Sequence, residues 1–228
     1  MGDVALIGVM MTPMGDSTII ITLDGPAATG KSSVGVEVAR QLDIPFISSG
    51  LFYRTATLLA LRQDVSPDNQ EGIISLLEQH KILFQSSGTI NRILVDGVEV
   101  SQKLHTDQID ENVSAVSSHP GVRSWVQSRL QGLEPPFVVE GRDMGSIVFP
   151  NADIKFYLTA SSEARASRRV SERSSDLNLV GDALARRDLL DARQLKPAGD
   201  ALHIDTDGLS LVEVTQMLLV HVAAVNKA

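Results

Sequence analysis

The 228-residue chain has no cysteine, which excludes disulfides and thiolate metal sites and fits a reducing cytoplasm. Positive charge is also scarce: 20 lysines and arginines face 28 aspartates and glutamates, giving a net charge of −8. That balance argues against a general nucleic-acid binder. No apolar run is long enough to span a bilayer. The patch from Val4 to Met11 is broken by Gly8 and has no basic residue ahead of it, so it does not read as a signal peptide. Residues 1–17 are expected to form a disordered tail, with Met11 or Met14 equally acceptable as the true start. Histidines 80, 105, 119, 203 and 221 lack metal-ligand spacing, so ordinary surface or core roles are expected of them. There is no internal repeat, no low-complexity segment and no Asn-Lys-x-Asp guanine reader. These absences leave a soluble cytoplasmic protein with no nucleic-acid or membrane partner.

What is there begins at Ile19-Ile20-Ile21-Thr22-Leu23, a short apolar run that reads as a buried strand. It leads through Asp24 into Gly25-Pro26-Ala27-Ala28-Thr29-Gly30-Lys31-Ser32-Ser33, a match to the phosphate-binding loop pattern. Gly25 and Gly30 allow backbone angles and close approaches that a Cβ forbids. The N–H groups then face phosphate oxygens at the positive end of the next helix. Lys31 supplies a point charge for the β and γ phosphates, and Ser32 a hydroxyl for Mg2+. A glycine-rich turn is the bland alternative; the position at a strand-to-helix junction favours the phosphate reading.

Helical spacing of Val34, Val38, Ala39 and Leu42 predicts a helix over 32–42, and Ile44–Ile47 a second strand. Together these form a βαβ unit with parallel strands. Ser48-Ser49-Gly50 should end that strand and cap a helix running to about residue 63. Between 64 and 105 the pattern changes to a helix (72–79) and three short β-like runs, with Asp96-Gly97 marking a tight hairpin. Antiparallel hairpins do not belong inside a parallel sheet, so 64–105 reads as an insert. Helices are expected at 107–118, 121–133, 161–171 and 181–190, with strands at 137–139, 154–158 and 201–205. A closing helix, 209–225, should bury Leu211, Val214, Met217 and Leu218 on one face. Trp125 is expected to be packing.

Seven of the fourteen arginines fall between Arg165 and Arg193, which points to a local anionic ligand in an acidic protein. Planar guanidinium forks bind phosphate bidentately, as lysine does not. Arg54 and Arg142 each follow a core strand and should share the edge of the phosphate loop. Arg168 and Arg165 are three apart and share a helix face. For Arg165 and Arg173 a solvated face is as good a reading as function. Asp143 suits the exocyclic amino group of cytosine and would repel the carbonyl of uracil; a helix cap or a partner for Arg142 accounts for it equally well. One phosphate loop with a second arginine set suggests a kinase whose acceptor already carries phosphate. The alternatives are another small-acceptor kinase or a nucleotide-binding module without turnover.

Assembled, these residues resemble the bacterial cytidylate kinase family of nucleoside-monophosphate kinases. The resemblance rests on Asp24-Gly25-Pro26 before the loop, Ser49-Gly50-Leu51-Phe52-Tyr53-Arg54 and Glu140-Gly141-Arg142-Asp143-Met144-Gly145. Arg187-Asp188-x-x-Asp191 and Asp200-Ala201-x-x-x-Asp205-Thr206 complete it. It implies a P-loop NTPase-type three-layer α/β fold with a five-stranded parallel sheet in a core of 18–63 and 106–228. The insert (64–105) would be the monophosphate-binding region, and about 169–196 a short helical lid. It implies transfer of the ATP γ-phosphate to CMP or dCMP with Mg2+ by a monomer. Carried across by position, Gly25 to Ser33 would bind ATP. Ser49, Arg123 and Asp143 would read cytosine, with Tyr53 packing nearby. Arg54 and Arg142 would hold the acceptor phosphate, Ser114, Arg187 and Asp191 the sugar. Lys31, Arg142, Arg168 and Arg169 would act on the transferring group. The chain departs from the family pattern at Ser48 and Glu140, where aspartates are common, and at Gln194, where arginine is usual; Arg193 stands next door.

Overall fold

A computed structural model describes residues 18–173 and 177–225; the expected tail, 1–17, lies outside them. The chain runs β1 (Ile20–Asp24), α1 (Lys31–Leu42), β2 (Phe46–Ser48), α2 (Gly50–Arg62) and α3 (Gln70–Gln79). It continues with β3 (Ile82–Ser87), β4 (Ile90–Val95), β5 (Val98–Glu99), α4 (Asp107–Ser118) and α5 (Pro120–Gln131). β6 (Phe137–Glu140), β7 (Ile154–Thr159), α6 (Ser162–Arg173), α7 (Leu177–Asp191), β8 (Leu202–Asp205) and α8 (Leu211–Val225) complete it.

Five strands pair in the order β2-β6-β1-β7-β8, every pair parallel. A parallel sheet is covered on both faces, so its strands read as continuous apolar runs. β6 shows how the alternation divides the core. Phe137 and Val139 join a cluster built from α2, α3, α4 and α5, and Val138 joins the opposite cluster under α1 and α8. The result is three layers, with the loops after β1, β2 and β6 side by side at the carboxyl edge, where ligands of such sheets bind.

The second sheet, β3-β4-β5, is antiparallel. Asp96 (φ 50) and Gly97 (φ 82) form the tight turn between β4 and β5, the pair of positive φ values that a two-residue hairpin needs. Its apolar side chains Ile82, Phe84, Ile93 and Val95 join the α2 cluster rather than a core of their own. The other turn of this sheet, between β3 and β4, covers the exposed edge of β2. Phe46 N donates to Gly88 O at 3.0 Å and Ser48 N to Asn91 Oδ1 at 2.8 Å. Backbone groups that would otherwise form an open edge are thereby bonded.

Two local expectations fail. Neither Ser48 nor Ser49 caps α2: Ser49 itself has helical angles (φ −62, ψ −28), and its side chain makes no capping bond. The helical turn therefore starts one residue early and leaves Ser49 buried at the carboxyl edge. On α8 the buried stripe is Val214, Leu218 and Val222, whereas Leu211 and Met217 are exposed. A 3.6-residue repeat keeps positions four apart on one face and rotates Met217 off it.

Candidate active site

The carboxyl edge opens on a cavity of about 1060 Å³. Ala27, Ala28, Lys31 and Ser32 line it from the loop between β1 and α1; Ser49, Tyr53 and Arg54 line it from α2 and the residue before it. Ser114, Arg123, Arg142, Asp143, Arg169, Arg187 and Asp191 also line it. The loop after β1 has the conformation its glycines predict. Gly25 has φ 139, and a Cβ there would lie 2.1 Å from the carbonyl oxygen of Leu158 on β7. That contact is with backbone, so only glycine fits. Gly30 (φ 92) opens α1 with no side-chain cap, leaving the helix N-terminus to be satisfied from outside, as at anion sites.

Lys31 is 5% exposed. Its Nζ donates to the Pro26 carbonyl at 2.5 Å and reaches Thr29 Oγ1 at 3.4 Å, so the ammonium bends back over its own loop. Burial, and then the Arg142 charge, pull its pKa down to about 7. Ser32 Oγ donates to the Glu140 carboxylate at 2.8–2.9 Å, and Ser48 Oγ donates to the same group at 2.8 Å. The Ser48 and Glu140 departures are thus one contact: the longer carboxylate reaches the shorter side chain. Hydroxyl and carboxylate oxygens are hard ligands of the kind Mg2+ takes together with substrate phosphates. Among the described residues no group of three or more His, Cys, Asp or Glu could hold a metal by itself.

Asp24 has a task that the sequence reading missed. At the end of β1 it accepts from Met144 N at 2.8 Å and Gly145 N at 2.7 Å, clamping the loop that presents Arg142 and Asp143. Burial outweighs those two donors and raises its pKa to about 6. A carboxylate at a strand end beside glycine, the criterion that singled out Arg142, would have found it.

Opposite the loop, Arg142 Nε donates to Asp191 Oδ2 at 3.0 Å and Nη1 to Gly25 O at 3.3 Å. It therefore joins the two sides of the cavity. Asp143 stands at the N-cap position of the short turn Met144–Val148, but its side chain makes no capping bond and its ion-pair partner is not Arg142. Its carboxylate accepts from Arg123, whose guanidinium lies 5.6 Å from the Tyr53 ring centre, within cation–π range. Burial pushes the Asp143 carboxyl up, and Arg123 opposes the shift. Ser49 and Ser114 are buried, and Ser114 Oγ is a buried polar atom with no hydrogen-bond partner among the described residues. Arg54 is anchored at both forks, to Leu104 O at 2.8 Å and Asp110 Oδ1 at 2.5 Å.

The lid arginines separate. Arg169 lines the cavity. Arg168 does not: it donates to Thr206 Oγ1 at 2.9 Å and Thr206 O at 2.7 Å, tying α6 to the end of β8. The same guanidinium stands 4.0 Å from where a Cβ on Gly30 would lie, so the brace sits beside the phosphate loop. Arg165 is 8% exposed and pairs with Asp188 at 2.7 Å, so it is no solvated face; the Arg173 side chain lies outside the described residues. Burial, then Arg142, lower the pKa of Arg187 to about 10. Gln194 lines the cavity with Oε1 buried and unpartnered among the described residues, while Arg193 is exposed and does not line it.

A sequence model of the family described as Cytidylate kinase matches residues 21–224. The cytidylate kinase of Thermus thermophilus is 50% identical over 203 residues, covering 89% of this chain and 98% of its own. That of Deinococcus deserti is 45% identical over 196 residues (86% and 95%), and that of a Geobacillus species 38% identical over 214 (89% and 96%).

Proposed function

The chain belongs to the cytidylate kinase family, and from that premise we propose how its cavity transfers the γ-phosphate of ATP to CMP and dCMP, giving CDP and dCDP. The observation that carries the reading is that the phosphate loop and the Arg54, Arg142, Asp143 wall open on one cavity. The acceptor is itself a phosphate, with a second pKa near 6. At neutral pH its attacking oxygen is therefore already deprotonated and needs no general base. What remains is alignment and charge.

Residues Gly25 to Ser33 hold the ATP phosphates, with Lys31 swinging from Pro26 to the β and γ oxygens. Arg54 and Arg142 hold the acceptor phosphate in line, and Arg169 faces the group in transit. The Arg123–Asp143 pair and Ser49 read the cytosine edge beside Tyr53, while Ser114, Arg187 and Asp191 meet the sugar. Ser32 and Glu140 would hold Mg2+, which when bound supplies positive charge to the bridging phosphate oxygens. The same proposal divides the chain into a core (18–63 and 106–228), a monophosphate-binding region (64–105) and a lid (169–196). It describes a monomer working in the cytoplasm; among the described residues no helix is long and apolar enough to cross a membrane.

An acceptor panel with ATP and Mg2+, followed by ADP release, tests it. CMP and dCMP should run far ahead of UMP and AMP. Equal rates with UMP would remove the cytosine assignment and leave the kinase.

A further inference from the structure

Asp110, on α4, is the carboxylate on which three other helices converge. Its Oδ1 accepts from Arg54 Nη2 of α2 at 2.5 Å and lies 3.7 Å from Arg187 Nη1 of α7. Its Oδ2 accepts from Arg169 Nη2 of α6 at 3.0 Å. The side chain is 15% exposed and lines the cavity. Nothing in the proposed handling of base, sugar or donor uses it. Yet it holds the fork of the arginine assigned to the acceptor phosphate and that of the arginine facing the group in transit.

Charge and geometry say what such a residue does. A carboxylate and a phosphate both offer a pair of acceptor oxygens to guanidinium N–H groups, so an acceptor phosphate arriving at Arg54 meets Asp110 already bonded at Nη2 and the Leu104 carbonyl at Nη1. Arg54, Arg169 and Arg187 lie against Asp110, and Arg142 and Arg187 against Asp191. Arg187 is buried in this wall, which lowers its pKa first through burial and then through the neighbouring Arg142 charge, with Asp191 and Asp110 opposing. Without Asp110 it would hold any small dianion.

We propose that Asp110 is a specificity-determining residue, a resident carboxylate that contests the Arg54 and Arg169 forks with incoming anions. Inorganic phosphate and sulfate have only charge with which to displace it. A nucleoside monophosphate adds base and sugar contacts and wins. The inference rests on the acceptor role given to Arg54 above.

Thermal denaturation of the full chain in sodium sulfate, against sodium chloride at equal ionic strength, tests it without any turnover. In chloride, Asp110→Asn should melt below wild type, because three guanidinium groups lose their counter-charge. Sulfate should restore it at concentrations about fivefold lower than those that move wild type, the size expected for removing one like charge from a partly screened site. Superimposable sulfate curves would overturn the proposal. Asp110→Glu, which keeps the charge, should respond as wild type does; a response like that of the Asn variant would assign the effect to shape and overturn it. An Asn variant that folds only in sulfate supports the proposal, and one unfolded in both salts refutes it. In steady state, sulfate should compete with CMP more strongly in Asp110→Asn than in wild type, and the apparent KM for CMP should fall. A wild-type chain that phosphorylates no acceptor would remove the acceptor reading, while the sulfate curves would still decide whether Asp110 guards an anion site.

Discussion

The two sides of the cavity are built in different ways. The proposed donor side is one loop of nine residues, Gly25 to Ser33, shaped by its own glycines and the Leu158 carbonyl and held at its carbonyls by Arg142, Arg165 and Thr206. The acceptor side is drawn from α2, α4, α5, the loop after β6, α6 and α7, and is held by ion pairs between residues far apart in sequence: Arg54 with Asp110, Arg123 with Asp143, Arg142 with Asp191. A contiguous cradle grips a part common to all triphosphates. A dispersed wall can be altered one residue at a time, and discrimination among acceptors belongs there.

That contrast fixes an order of effects. The largest should come from Lys31→Ala, which removes the one mobile cation of the donor loop. Turnover measured by coupled ADP release should fall by about 10²–10³-fold, as for other preorganised transition-state contacts, with CMP and UMP equally affected. A change in the CMP/UMP ratio would blur the division between the sides. Next comes Asp143→Asn, which keeps the shape of the side chain and removes its charge. The ratio of kcat/KM for CMP over UMP should drop about tenfold, within the range for one directional base contact, while ATP affinity holds. An unchanged ratio would take base reading away from the Arg123–Asp143 pair.

The smallest effect is on pH. Lys31 titrates at about 7 in the chain alone, and bound phosphates must raise that value. Below pH 7 the ammonium is already charged, so ATP affinity should be level there. Above pH 7 binding requires proton uptake, and affinity should weaken by up to about tenfold per pH unit until the bound-state pKa is passed. Calorimetry in two buffers of different ionisation enthalpy would detect the proton; affinity that rises with pH would show that the lysine is not drawn to the phosphates.

Much of the parallel scaffold was legible because its signals are local. The apolar strands, the Asp96-Gly97 turn and the loop after β1 each lie within a few residues of the atoms that cause them. The misreadings lie where a neighbour distant in sequence decides. Arg168 looked like Arg169, but the two are adjacent and point about 100° apart around α6, one to Thr206 and the other into the cavity. For Arg165 a solvated face and a functional role read equally well until α7 brought Asp188 to it. Asp110 sits among other acidic residues of α4 with nothing nearby to mark it.

By itself the sequence determined the reaction class and the conformation of the loop proposed as the donor site. Backbone angles and N–H directions over nine residues are set by those residues, and their chemistry can be read off in order. Only the tertiary structure decided which arginines face the cavity, that Asp24 clamps the loop carrying Arg142, and that Glu140 meets both Ser32 and Ser48. Charges act across space rather than along the chain, and four of these partners lie about a hundred residues away from the groups they hold.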